Sequence, residues 1–125
     1  MKILSVFILL VGSVLLSSCM NMPTKSSQIT GAYTSEVKYN SYDCDQLATE
    51  LNSLARSGNQ LVKAQDQRRS SSQMQAFLYG YGTGDGIEAS ELATVRGEKV
   101  AVRRAMEQKH CSDPQNISAE TQAEK

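Results

Sequence analysis

Two cysteines, Cys44 and Cys111, place the strongest constraint on the fold of this chain. Each lies at the outer end of a stretch with helical periodicity, so an antiparallel pair of helices would bring the two thiols together. A disulfide between them would close a loop of 68 residues, counted from 44 to 111, and would stabilise the fold by roughly 4 kcal/mol. The chain has no Trp and only two Phe, which indicates a thin apolar core. The sequence therefore predicts an all-α fold, a two-helix antiparallel hairpin closed by a disulfide.

The first helix is predicted to begin just after Asp43. This residue can cap the helix, Gln46 follows three positions later as its capping-box partner, and Tyr42 can pack onto Leu47. The stripe that follows is spaced by four, three, four and three residues, which places its members on one face. They are Leu47, Leu51, Leu54, Gly58 and Leu61.

The second helix is predicted to start at Asp85, with Glu88 three residues later, and to stop near Cys111, shortly before Pro114. Its apolar stripe consists of Leu92, Val95, Val102 and Met106. Both stripes are narrow, so neither helix is expected to be stable alone in water. We expect each helix to be stabilised by packing against the other.

Residue numbers predict which parts of the two helices face each other. In an antiparallel hairpin the numbers of facing residues have a constant sum, which a pair at 44 and 111 sets to 155. Gly58 and Gly97 have the same sum, so they are predicted to lie where the helix backbones approach closely. Helices of equal length would cover residues 44–69 and 86–111, with 70–85 as the tip. In the alternative, the first helix continues to Tyr79 and the hairpin is asymmetric.

The first eighteen residues have the features of a signal peptide. A single lysine precedes an apolar run over residues 3–16, which is shorter than the roughly 20 residues of a membrane-spanning helix. Leu16, Ser17, Ser18 and Cys19 then resemble the bacterial lipobox, which directs cleavage before the cysteine and attachment of lipid to its thiol. The alternative is an ordinary secretory signal followed by a chance cysteine.

Lipidation of Cys19 would also determine where the protein resides. Bacterial sorting retains lipoproteins with Asp at the next position in the inner membrane, so Met20 favours the outer membrane of a Gram-negative cell, facing the periplasm. That compartment permits disulfides. With Cys19 carrying lipid, Cys44 and Cys111 remain as the intramolecular pair.

The mature chain is predicted to contain one small domain with a flexible segment on each side. Residues 1–18 form the cleaved signal peptide, 19–41 the lipidated cysteine and a flexible tether, 42–111 the hairpin, and 112–125 a disordered tail. The tether is mostly small and polar, and by random-coil scaling it could hold the domain about 25 Å from the lipid.

The predicted tip combines apolar and aromatic side chains with glycine at every second position. The apolar and aromatic residues are Phe77, Leu78, Tyr79 and Tyr81, and the glycines are Gly80, Gly82, Gly84 and Gly86. The glycine spacing matches neither a dinucleotide-binding nor a P-loop motif. The segment is either a flexible turn or an exposed tip that touches a membrane or a partner.

Several classes of function are disfavoured by the composition. Without the signal peptide, 12 basic and 13 acidic side chains remain. Because the chain has no excess of basic residues, nucleic acid is not expected as a partner. His110 is the only histidine, and no catalytic residue is expected. Cys44, His110 and Cys111 could bind zinc, but oxidation would remove both thiolates. We expect no metal and no cofactor beyond the covalent lipid on Cys19.

The part of the chain between the two later cysteines resembles a group of small, uncharacterised proteobacterial lipoproteins. The matching residues are Cys44, Leu47, Glu50, the glycines of 80–86, Gly97, Glu98, Lys109, His110 and Cys111. The chain departs from the group at the tip, where the group has a longer apolar segment. The resemblance implies the hairpin and its disulfide, and it brings no activity with it.

These observations favour a non-enzymatic, membrane-anchored lipoprotein with a structural or adaptor role in the bacterial envelope. Its expected partners are the membrane, through the lipid anchor, and an envelope protein or a second copy of the chain. Two alternatives remain open: a tip that inserts into or perturbs membranes, and a small module that binds a ligand or metal in the periplasm.

Overall fold

A computed structural model describes residues 21–112 of the chain. The predicted signal peptide, Cys19, Met20 and residues 113–125 of the predicted tail lie outside this range. The described residues form two short 3-10 turns and two α-helices. The turns are Ser26–Gln28 and Glu36–Tyr39, and the helices are α1, Cys44–Tyr79, and α2, Ile87–Gln108.

The predicted hairpin and its disulfide are confirmed. The two helices pack against each other, and Cys44 and Cys111 are bonded with their Cα atoms 5.5 Å apart. The capping box also forms, since Asp43 Oδ1 accepts from the amide of Gln46 at 2.8 Å and Gln46 Oε1 accepts from the amide of Asp43 at 2.9 Å. These two bonds satisfy amides that the first turn of α1 would leave without a partner.

The hairpin is asymmetric, so the equal-length prediction is wrong and the alternative with a longer first helix is correct. Helix α1 has 36 residues and α2 has 22. Helix α1 ends at Gly80, which has a φ of +81° and donates its amide to the carbonyl of Ala76 at 2.9 Å. Glycine adopts this left-handed conformation without steric cost, which explains where the helix stops.

Helix α2 differs from prediction at its start. Gly86 occupies the position before its first turn and has no side chain to cap it. The carboxylate of Asp85, the predicted start, is bound by Thr24 and Gln65 instead. At the other end His110 has a φ of +56°, its amide donates to Glu107 O at 3.1 Å, and the amide of Cys111 donates to Met106 O at 2.9 Å. These two bonds define a Schellman ending, with histidine at the position that usually holds glycine.

The apolar core lies in the half of the hairpin near the disulfide. It consists of Tyr39, Leu47, Leu51, Leu54, Ala101, Val102, Ala105 and Met106. Toward the tip, the buried side chains of α1 are polar, namely Gln65 and Ser72. The predicted stripes are therefore correct near the disulfide, and a different kind of packing holds the tip half together.

The prediction of a flexible tether is wrong for residues 21–41. This segment lies along the hairpin and runs from the tip to the disulfide end. The amide of Ala32 donates to Ala93 O at 2.8 Å, and Arg96 donates to the carbonyls of Ser26 and Ile29. Tyr39 is fully buried. Most of these contacts involve backbone carbonyls and amides, so the side-chain pattern gave little sign of them.

The predicted facing of Gly58 and Gly97 is also wrong. A Cβ atom added at Gly58 would lie 3.5 Å from Val95 Cγ1 and near nothing else. A Cβ atom added at Gly97 would fall onto the carbonyl of Ala32, and one added at Gly31 would lie 2.9 Å from the amide nitrogen of Gly97. Gly97 therefore permits close approach of the N-terminal segment rather than of α1.

Candidate functional site

The end of α1 projects beyond the rest of the hairpin and carries exposed apolar side chains. Ser72 is the last buried residue of α1, and the seven residues from there to Tyr79 rise by about 10 Å. The exposed fractions are 86% for Phe77, 60% for Leu78, 69% for Tyr79 and 63% for Tyr81. The structure places all four predicted tip residues on this projection, and the rings of Tyr79 and Tyr81 lie 6.4 Å apart.

The tip carries no formal charge. No Asp, Glu, Lys or Arg occurs over residues 70–84, whereas charged residues are frequent in both helices on either side of this stretch. From here on, "the tip" means residues 73–81, the part of the predicted segment 70–85 that projects beyond the hairpin. Its surface combines apolar, aromatic, amide and hydroxyl groups.

The chain after Gly80 folds back along α1 and is bound to it. The amide of Thr83 donates to the buried Ser72 Oγ at 2.7 Å, and the amide of Gly84 donates to the carbonyl of Asn21 at 2.7 Å. A Cβ atom at Gly82 would lie 2.6 Å from Asn21 O and 2.8 Å from Ser72 Oγ. The glycine-rich segment is therefore held against both α1 and the start of the described chain.

A polar cluster beneath the tip joins three separate parts of the chain. Gln65 is fully buried, and its Nε2 donates to Thr24 O at 2.9 Å and to Asp85 Oδ1 at 2.8 Å. Thr24 donates its amide and its hydroxyl to the two carboxylate oxygens of Asp85, at 2.7 and 2.6 Å. These hydrogen bonds from Thr24, with that from Gln65, lower the pKa of Asp85 below its ordinary value.

A second polar contact joins the helices at the same level. Arg68 donates to both carboxylate oxygens of Glu88, at 2.9 and 3.1 Å. The hydrogen bonds lower the pKa of Glu88 and raise that of Arg68. A shallow groove of about 390 Å³ lies beside this pair and includes Thr83 in its lining. The charged groups of Arg68 and Glu88 bind each other, as expected of a structural contact between the helices.

The disulfide end is charged and is braced by the N-terminal segment. Lys38 Nζ lies 2.7 Å from Glu98 Oε1, and this hydrogen bond raises the pKa of Lys38. Lys109 Nζ donates to Asn40 O at 2.9 Å, and Arg104 lies 3.8 Å from Glu36. The two ends of the hairpin thus differ in chemistry, one charged and one uncharged.

Comparisons of the chain with protein-family models, with curated proteins and with solved structures find no match. The resemblance to small proteobacterial lipoproteins therefore stays a prediction. Function has to be argued from the geometry of the chain itself.

The remaining site predictions concern metal binding and membrane crossing. Within residues 21–112, no group of three or more His, Cys, Asp or Glu side chains could hold a metal ion, and the disulfide occupies both thiols of the zinc set considered above. Neither α1 nor α2 combines the length and mean hydropathy of a bilayer-spanning helix. The polar cluster was not predictable from the sequence, because its members are 20 to 61 residues apart and follow no periodic pattern.

Proposed function

We propose that this chain is a membrane-anchored, non-enzymatic lipoprotein of the bacterial envelope, in which the hairpin acts as a rigid adaptor for a protein partner. The lipid would be attached to Cys19, and the outer membrane is the compartment that Met20 favours. The disulfide supports a compartment in which thiols are oxidised.

One observation carries the proposal: the N-terminal segment is packed against the hairpin from Asn21 onward. Asn21 lies at the level of Ser72, since a Cβ atom at Gly82 would be in contact with both. From Ser72 back to Cys44, α1 rises by about 42 Å. An anchor at Cys19 would thus connect to one end of a stiff rod, and the other end would lie about 40 Å away. A flexible tether, in contrast, would leave this distance undefined.

The disulfide end has the character of a surface for protein contact. It carries the Lys38–Glu98 ion pair and the side chains of Arg104 and Lys109, all at least partly exposed. Exposed charges of this kind would steer and select a partner of complementary charge. The polar cluster supports a non-enzymatic role, because Asp85 and Glu88 are engaged in contacts within the chain.

Two measurements in cells test the proposal. Radiolabelled palmitate should enter the wild-type protein and not the Cys19→Ser variant, which should also leave the membrane fraction. A photo-crosslinking amino acid in place of exposed Val37, at the disulfide end, should then yield a discrete adduct with an envelope protein. The same substitution at exposed Met74, in the tip, is the matched control and should not yield that adduct. Palmitate labelling that persists in Cys19→Ser, or no discrete adduct from position 37, would contradict the proposal.

A further inference from the structure

We propose that the tip docks into the headgroup region of the bilayer that holds the lipid anchor, so that the hairpin stands upright on the membrane. This inference rests on the lipidation of Cys19 in the proposed function. It assigns the membrane-contacting surface to Phe77, Leu78, Tyr79 and Tyr81.

The short chain between Cys19 and the packed segment keeps the tip close to the lipid. Asn21 is two positions after Cys19, and two extended residues span at most about 7 Å. Asn21 O accepts from the amide of Gly84 and lies at the level of Ser72, while the end of α1 projects about 10 Å further. An upright hairpin anchored at Cys19 therefore cannot hold its tip clear of the lipid, because the projection is longer than the linker.

The side chains of the tip suit the membrane–water interface. Charged groups are costly to move into the hydrocarbon below the headgroups, and residues 70–84 contain none. Tyrosine is favoured at the membrane–water interface, where its ring is in apolar surroundings and its hydroxyl is in water. Tyr79 and Tyr81 lie side by side at the end of the projection, next to the apolar Phe77 and Leu78. The headgroup region on each side of a bilayer is about 5 to 8 Å deep, so a projection of about 10 Å is long enough to cross it.

The distribution of charge along the hairpin favours an upright orientation. A hairpin lying flat would bring the exposed charges of its body, such as those of Lys63 and Asp66, against the lipid. A hairpin that stands on its tip keeps these charges in water, together with those of the disulfide end. A second copy of the chain could also cover an apolar tip, and the experiment distinguishes that case.

The test uses tryptophan fluorescence of the full lipidated protein. The chain contains no Trp, so a single introduced Trp is the sole reporter. Phe77→Trp places it in the tip. Tyr33→Trp is the matched control, because Tyr33 is 88% exposed and lies far from the tip. The segment that contains Tyr33 packs beside Gly97, which is level with Gly58 on α1. Gly58 is about 28 Å from Phe77 along α1. Each variant is reconstituted into vesicles of phosphatidylethanolamine and phosphatidylglycerol, with and without lipid brominated near the top of the acyl chain.

We expect both variants to float with the vesicles. The Phe77→Trp protein should show blue-shifted emission and lose most of its fluorescence to the brominated lipid, while the Tyr33→Trp protein should be unaffected. Adding Leu78→Asp to Phe77→Trp should reduce the quenching, because moving a carboxylate toward the acyl chains costs free energy that burial of Leu78 does not. High salt should not reduce it, because an uncharged contact is not screened.

Three outcomes would overturn the inference. Flotation without quenching of Phe77→Trp would refute tip docking and leave the anchor intact. Equal quenching of both variants would show a hairpin lying flat. A blue shift that depends on protein concentration and not on lipid would show that a second copy covers the tip. If neither variant floats, lipidation itself has failed, which refutes the proposed function and removes the basis of this inference.

Discussion

The two helical glycines offer a direct test of the packed N-terminal segment. Both lie within α-helices, where alanine is favoured over glycine by about 1 kcal/mol. Their surroundings differ, since Gly58 has only Val95 Cγ1 nearby at 3.5 Å, whereas Gly97 lies against the backbone of Ala32. Substitution by alanine should therefore have opposite effects at the two positions.

The size of each effect follows from these contacts. Gly58→Ala adds a methyl group at ordinary van der Waals distance, so it should stabilise the fold by about 0.5 to 1 kcal/mol. Gly97→Ala gains the same helix propensity but forces Ala32 away, at a cost of about 1 to 3 kcal/mol for overpacking. The Ala32–Ala93 hydrogen bond would also be lost, at about 1 kcal/mol. We expect a net loss of about 1 to 3.5 kcal/mol, and hence a difference of about 2 to 4 kcal/mol between the variants.

Urea denaturation followed by circular dichroism measures both free energies of unfolding. Hydrogen exchange at the Ala32 amide reports separately on the N-terminal segment, and its protection should fall in Gly97→Ala while remaining unchanged in Gly58→Ala. If Gly97→Ala proved as stabilising as Gly58→Ala, the segment would not be packed on α2, and the flexible-tether prediction would be restored.

Three further perturbations address other parts of the fold. Replacing Cys44 and Cys111 with Ser should cost roughly 4 kcal/mol in urea denaturation and make stability insensitive to reducing agent; equal stability of both forms would contradict the account. His110→Gly should stabilise by about 1 kcal/mol, because glycine adopts the left-handed conformation without strain; His110→Ala, which keeps the strain, is the control and should not. As pH falls, the unfolded state should bind protons before the folded state does, because hydrogen bonds lower the folded-state pKa values of Asp85 and Glu88 from ordinary values of 3.8 and 4.5. The free energy of unfolding should therefore be constant above about pH 5 and should decline as the pH falls below it. The decline should be shallower in Asp85→Asn, and an unchanged slope would contradict the polar cluster.

The parts of the fold that were predictable depend on local signals or on chain connectivity. The capping box at Asp43 needs only residues three positions apart, and the stripe from Leu47 to Leu54 has the helical period. The Cys44–Cys111 bond follows from the positions of the two cysteines at the ends of the helices. In each case one physical effect dominates, and the sequence shows it directly.

The parts that were missed depend on contacts between distant polar or backbone groups. Gly97 faces Ala32, and not Gly58, because the N-terminal segment occupies the groove beside α2. Asp85 had the spacing of a helix cap, but Thr24 and Gln65 bind its carboxylate more fully than a helix amide would. The apolar and aromatic residues of the tip were predictable from the sequence. The contact of the neighbouring glycine-rich segment with Asn21 was not, since no sequence pattern relates residues 21 and 84.

The uneven distribution of apolar side chains implies that the hairpin does not open uniformly. The core from Tyr39 to Met106 and the covalent link are both at one end, while the opposite half is held by hydrogen bonds around Gln65 and by the Arg68–Glu88 pair. Local opening draws on the regions with the fewest buried apolar contacts. Thermal fluctuations should therefore loosen the packing beside the glycine-rich segment first, while the half that contains the sulfur bridge opens only when the whole molecule unfolds.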